Sequence, residues 1–117
     1  MTDHFKQLCL SLKGSSASYP FDDNACVFKV LDKMFALIPD DQPHLISLKC
    51  DPIRAELLRG QFESVTPAYH MNKRHWNTID TAGDIPPDEV EDLISHSYEL
   101  VVSKMTRKQQ QALQDLD

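Results

Sequence analysis

Three apolar segments lie close together in the first half of the chain, and their spacing constrains the fold more than any other feature. Residues 26–30 and 46–50 alternate apolar side chains with other residues, as a strand with one buried face does. Residues 34–38 form a continuous apolar run. The connection at residues 31–33 has the length of a hairpin turn, and strands joined by a hairpin run antiparallel. These segments therefore predict neighbouring strands of one antiparallel sheet.

Two apolar stripes at helical spacing lie on either side of these segments. Residues 5–12 and residues 90–105 repeat apolar side chains every three or four positions, which indicates a helix with one buried face. Thr106 is expected to cap a last, polar helix. The serine-rich run at residues 15–18, in contrast, is predicted to be a loop.

A further helix is predicted to begin at Asp51-Pro52. The Asp51 carboxylate can accept hydrogen bonds from free N–H groups of the first turn, and proline loses nothing there by lacking an N–H. The apolar residues that follow are Ile53, Leu57 and Leu58, and they are expected to form the buried side of this helix.

The order of the predicted elements is helix, strands, helix, strands, helix, helix. This order is typical of an α+β domain. The sequence therefore predicts a single antiparallel sheet with helices packed on one face. A length of 117 residues matches one domain, so residues 1–117 are expected to form a single unit.

Several classes of protein are excluded by the composition. The chain has no stretch of about 18 apolar residues, so no membrane association is expected, and its first residues lack the profile of a secretory signal. Its three cysteines have no C-x-x-C spacing, which argues against a disulfide framework or a metal site. They occupy apolar positions and are expected to be buried and slow to react, as in a cytoplasmic protein.

The net charge of −6 is distributed unevenly along the chain. Residues 1–79 hold nine acidic and nine basic side chains and are neutral as a group. Residues 80–117 hold nine acidic and three basic side chains and carry the whole net negative charge. The acidic residues are read as a solvated helix face, which leaves room for a locally positive surface on the first part of the chain.

The segment with the densest chemistry is residues 69–77. It holds two histidines, two cations, two amides and two aromatic residues, and it lacks a carboxylate. A buried strand rarely has so many polar side chains, so an exposed hairpin or strand edge is expected. Here Lys73 and Arg74 can neutralise phosphates, the amides can donate hydrogen bonds, and Trp76 can stack on bases.

Each of these residues also has a structural interpretation. Trp76 can be an anchor of the core, and Asn72 can be the turn residue between two strands. The histidines can bond to backbone groups, while Lys49 and Lys73 can serve as solubilising charges. No nucleophile motif, phosphate-binding loop or metal-binding motif is present, so catalysis, a cofactor and a metal are not expected.

The string His70-Met71-Asn72-Lys73-x-His75-Trp76-Asn77, preceded by Ser47-Leu48-Lys49-Cys50, resembles the MmcQ/YjbR family of small bacterial proteins. The resemblance implies a frataxin-like α+β fold of the double-wing kind. It also implies the family's usual description as predicted DNA-binding proteins, and it transfers no catalytic residue.

These observations predict a non-enzymatic cytoplasmic domain that binds DNA weakly, in a salt-sensitive manner. An interaction with another protein, or with a small ligand on the same face, is the alternative. A third hypothesis is an enzyme that uses the two histidines of the segment as acid and base. The residues expected to make contact are Lys49, His70, Asn72, Lys73, Arg74, His75, Trp76 and Asn77.

Overall fold

A six-stranded antiparallel sheet frames the computed structural model, which describes residues 2–69 and 71–116. Neighbouring strands follow the order β1-β2-β3-β4-β6-β5, and every neighbouring pair is antiparallel. The prediction of one antiparallel sheet is confirmed. In chain order the strands are β1 (Ser15–Ser18), β2 (Ala25–Val30), β3 (Lys33–Pro39), β4 (Leu45–Lys49), β5 (Val65–Pro67) and β6 (Trp76–Asp80).

Helices cover one face of this sheet. They are α1 (Thr2–Ser11), α2 (Pro52–Gln61), α3 (Pro87–Ser103) and α4 (Arg107–Gln114). All four contribute buried side chains to a single apolar core, which they share with β2, β3, β4, β5 and β6. The predicted arrangement, an α+β fold with helices on one face, is confirmed. No helix in the described part of the chain is long and apolar enough to cross a membrane.

The apolar stripes predicted for α1 and α3 face the sheet. Phe5 of α1 and Leu93, Ile94 and Val101 of α3 are buried, and α3 lies across β3 and β4. Thr106 caps α4 through a reciprocal pair of hydrogen bonds with Gln109, as the sequence predicted.

The prediction that residues 15–18 form a loop is wrong. They form the edge strand β1, in register with β2 from Ser15 opposite Val30 to Ser18 opposite Val27. Serine has little intrinsic preference for a strand, but β2 offers a row of unpaired backbone groups at the edge of the sheet. Pairing with that row stabilises β1 more than the local sequence disfavours it.

The predicted buried side of α2 is also largely wrong. The Asp51 carboxylate caps the helix as expected, accepting hydrogen bonds of 3.1 Å from the N–H groups of both Ile53 and Arg54. Ile53 and Leu57 are nevertheless exposed, and the helix buries Leu58 together with Ala55 instead. Ala55 and Leu58 lie three positions apart on one side of the helix, and Ile53 and Leu57 lie on another.

All three cysteines are free and buried, which confirms the prediction from their apolar positions. Burial raises the pKa of the Cys9 thiol to about 12. Burial also raises the pKa of Cys50, although the residue lies just before the start of α2. Desolvation therefore disfavours the reactive thiolate at both positions.

Candidate functional site

The sheet face opposite the helices carries an open cavity of about 740 Å³, which we call the open-face cavity. Because side chains alternate along a strand, residues next to core positions point to this face. Leu37, Ser47 and Thr78 are cross-strand neighbours in its floor, on β3, β4 and β6. The chain before β2 and the chain between β5 and β6 contribute further side chains, including Phe21, Asp22, Tyr69 and Met71.

The floor of the open-face cavity contains one polar pair. Ser47 Oγ and Thr78 Oγ1 lie 2.9 Å apart and share a hydrogen bond. Only one of the two hydroxyl hydrogens is used in that bond, so the other remains able to bond to a bound molecule. Apolar side chains such as Met34 and Leu45 lie nearby in the lining.

Trp76 forms part of the wall of the open-face cavity. Its side chain lies on the face away from the helix-side core and is 9% exposed. The indole therefore combines the two interpretations of the sequence: it is a buried anchor, and it lines the cavity. It is also the only tryptophan of the chain.

Asn72 organises the turn that leads into β6. Its side-chain Oδ1 accepts a hydrogen bond of 3.0 Å from the Arg74 N–H, and its carbonyl accepts bonds from the N–H groups of His75 and Trp76. The proposed turn role of Asn72 is thus observed, and the residue lines the open-face cavity as well. On the same turn, Lys73 Nζ lies 5.0 Å from the centre of the Tyr69 ring in a cation–π contact.

Asn77, predicted to make contact with a ligand, is buried within the fold. Its side chain points to the helix face and is 2% exposed. Its Oδ1 accepts a hydrogen bond of 2.7 Å from Arg59 Nε, and its Nδ2 donates one of 3.3 Å to the Ala55 carbonyl. Asn77 therefore links β6 to α2, and its amide is used within the fold.

The predicted basic residues lie apart from the open-face cavity. Lys73 and Arg74 are exposed and line a smaller depression of about 270 Å³ together with Arg59 and the start of α2. Lys49 is half-buried at the end of β4, opposite Trp76 in the β4–β6 register. Among the described residues, no lysine or arginine lines the larger cavity.

His75 joins the segment to the neighbouring strand through its backbone. His75 is half-buried, and its carbonyl accepts a hydrogen bond of 2.7 Å from the Cys50 N–H. This bond holds the segment against the end of β4. His70, the other histidine predicted to make contact, lies outside the described residues.

Sequence reasoning missed Leu37, Ser47, Thr78 and Asp22 as parts of a site. The available signal was the alternation within the strands. Ser47 lies between two core positions of β4, and Thr78 lies between the buried Asn77 and the core residue Ile79 of β6. Polar residues at those positions show that the second face of the sheet is not another apolar core.

Comparisons with known proteins agree with this fold. The YjbR family model matches residues 10–100. A protein of Escherichia coli K12, "Uncharacterized protein YjbR", is 33% identical over 111 residues, which cover 94% of each chain. "Uncharacterized protein YyaQ" of Bacillus subtilis is 32% identical over 74 residues, covering 63% of this chain and 62% of its own.

Two solved structures are similar over most of the chain. The crystal structure of Deinococcus radiodurans protein DR2400, with family-model domain DUF419, has a TM-score of 0.90 and 39% identity and covers 97% of this chain and 88% of its own. A crystal structure from Pseudomonas syringae has a TM-score of 0.71 and 28% identity and covers 85% of this chain and 97% of its own. The sequence match and the structural match confirm the resemblance seen in the residues around Trp76, and the chain belongs to the YjbR family.

Proposed function

We propose that this protein binds a small organic molecule in the open-face cavity, as a binding module and not as an enzyme. One observation carries the proposal: Trp76 lines a concave cavity with apolar walls and a hydroxyl pair, whereas the exposed cations of its segment line another depression. A concave, mostly apolar site with a few polar groups is the usual form of a small-molecule site.

The size and rim of the open-face cavity support this proposal. Its volume of about 740 Å³ falls within the range of known ligand pockets. Phe21 and Tyr69 are strongly exposed in its lining. Exposed aromatic side chains grouped around a cavity are typical of surfaces that a partner covers.

The chemistry of the lining supports binding over catalysis. Apart from the Asp22 carboxylate, its described side chains are hydroxyls, amides, thioethers, aromatic rings and aliphatic groups, which hold a molecule through contact and hydrogen bonds. The buried Cys50 thiol has a raised pKa, which opposes a role as a nucleophile. We further propose a cytoplasmic location, where the free cysteines would stay reduced.

Binding is expected to change the fluorescence of Trp76, the single tryptophan. Phenylbutanol, a neutral probe with an apolar body and one hydroxyl, should give a saturable change in indole emission. Ser47→Phe places a ring on the cavity floor and should weaken this binding at least about tenfold, which is about 1.4 kcal/mol.

The matched control is Ser16→Phe, an equal change on the exposed edge strand β1, away from the cavity. This variant should bind the probe like the unmodified protein. Circular dichroism checks that Ser47→Phe is folded, and Ser47→Ala, which keeps the space but removes one hydroxyl, should still bind. Equal affinity in a folded Ser47→Phe variant, or a linear and non-saturating titration, contradicts the proposal.

DNA binding is a second candidate, supported by a different surface. Lys73 and Arg74 are exposed, and neither forms an ion pair with another residue of the described chain. Two cations, with Lys49 as a third, would neutralise two or three phosphates. Each neutralised phosphate contributes roughly −0.9 to the slope of log affinity against log salt, so binding would be weak and salt-sensitive.

If this second candidate holds, replacing Lys73 and Arg74 with alanine should flatten the salt slope by about two for duplex DNA. The control replaces Lys104 and Arg107 with alanine. These two exposed cations lie at the end of α3 and the start of α4, and their loss should leave the salt slope unchanged. The measurement is fluorescence anisotropy of labelled DNA. An absence of binding to duplex and single-stranded DNA at about 50 mM salt rejects DNA as the partner.

A further inference from the structure

Resting on the proposed function, we propose that the ligand of the open-face cavity is an amphipathic amine. Its apolar body would pack beside Trp76, and its ammonium group would lie beside Asp22. Asp22 is the only charged side chain among the described residues that line the cavity. The cavity therefore combines apolar walls with one negative charge, and this combination selects for an apolar cation.

The position of the Asp22 carboxylate is set by its own turn. Asp22 Oδ1 accepts hydrogen bonds of 2.8 Å from the N–H groups of both Asn24 and Ala25. These bonds hold the side chain immediately before β2, where the chain enters the sheet. Among the described residues Oδ2 takes part in no hydrogen bond or ion pair with a side chain, so one oxygen is available to an ammonium group.

The arrangement of the strands separates the charge from the indole. Asp22 lies next to the start of β2, Trp76 starts β6, and β3 and β4 lie between those strands. Three strand spacings of about 4.8 Å correspond to roughly 14 Å across the sheet. The strand register adds to this distance, because it aligns Ala25 of β2 with Asp80, at the other end of β6 from Trp76. A ligand that reaches both groups must therefore carry its charge at one end of an elongated apolar body.

Other charged groups nearby do not reverse this preference. Lys73 lies against the Tyr69 ring and lines the depression beside α2, outside the cavity. Asp80, further along β6 than Trp76, uses its carboxylate to accept the Ala82 N–H. Lys49 lies opposite Trp76 but is also outside the lining. Asp22 is an exposed residue of the lining, and a ligand carboxylate that reached it would be repelled.

The test compares three probes of one shape that are long enough to span the sheet: phenyloctylamine, phenyloctanol and phenyloctanoate. Emission of Trp76 is excited at the red edge of indole absorption, where the phenyl group does not absorb. The amine should bind about three- to tenfold more tightly than the alcohol, as expected for a charge pair near the surface, and the carboxylate should bind least. The advantage of the amine should shrink as salt is added.

The variant Asp22→Asn tests whether Asp22 causes the preference for the amine over the alcohol. The asparagine carbonyl can still accept the two turn hydrogen bonds, so the loop is retained, and the variant should bind amine and alcohol equally. Asp23→Asn, the same change at an exposed neighbour outside the lining, should keep the amine preference.

Two results overturn this inference while leaving the proposed function intact. One is tighter binding of the carboxylate than of the alcohol, which would show that a neighbouring cation such as Lys73 or Lys49 sets the charge preference. The other is an amine preference that survives in Asp22→Asn. In both cases the neutral probes phenylbutanol and phenyloctanol still bind, whereas failure of phenylbutanol and of all three longer probes rejects the proposed function itself.

Discussion

Replacing Leu93 with alanine should lower the free energy of unfolding by about 2–5 kcal/mol. Leu93 is 2% exposed on α3, and that helix covers the middle of the sheet at β3 and β4. The truncation removes a buried side chain from the shared core, and the surrounding strands can only partly close the space. Urea denaturation followed by circular dichroism gives the change directly.

Leu57→Ala is the matched control, because it makes the same change on another helix. Leu57 is 67% exposed on α2, so its loss should cost less than about 0.5 kcal/mol. Similar losses at Leu93 and Leu57 would contradict the packing of α3 or of α2. The pair thus tests one helix orientation that the sequence predicted and one that it did not.

The difference between these helices shows what apolar spacing can determine. In α3 the buried residues Val90, Leu93, Ile94 and Val101 share one side of a helix of 17 residues, and the other side is polar. The pattern therefore leaves only one side of α3 that can face the core. The alternation at residues 26–30 and 46–50 predicted strands β2 and β4 correctly, because it too matches a single period.

The shorter helix α2 has two apolar sides, and its pattern does not choose between them. Ile53 and Leu57 form one side, and Ala55 and Leu58 form the other. The choice follows from tertiary contact: Asn77 Nδ2 donates to the Ala55 carbonyl and so brings that side of α2 against β6. A contact between residues so far apart in the chain is not visible in local spacing.

The candidate site was likewise predicted only in part from the sequence. The segment at residues 69–77 is close to the open-face cavity, as its composition suggested. Its residues were grouped as one contact surface, yet Trp76 and Asn77 point to opposite faces because consecutive side chains alternate along β6. The cavity itself depends on Leu37, Ser47 and Thr78, which come together only when β3, β4 and β6 pair.

Ser97 is the buried polar residue of α3 whose loss should affect the fold most. Its Oγ donates a hydrogen bond of 2.6 Å to the Phe35 carbonyl and accepts one of 2.9 Å from the Lys49 N–H. Phe35 lies at a bulge, since Phe28 pairs with Ala36 and Lys29 pairs with Met34, and it is left without a partner in β2. One hydroxyl therefore links α3 to both β3 and β4.

Ser97→Ala should lower the free energy of unfolding by roughly 2–6 kcal/mol, since it leaves two backbone groups without a partner and each costs about 1–3 kcal/mol. Ser95→Ala, a change at a half-exposed position of the same helix, should have almost no effect.

Hydrogen exchange measured by NMR separates this mechanism from a general loss of packing. In Ser97→Ala the Lys49 amide should exchange faster relative to its neighbours in β4, whereas in Leu93→Ala all core amides should be affected together. A loss below about 0.5 kcal/mol, or unchanged relative protection of Lys49, would show that the hydroxyl does not join the helix to the sheet.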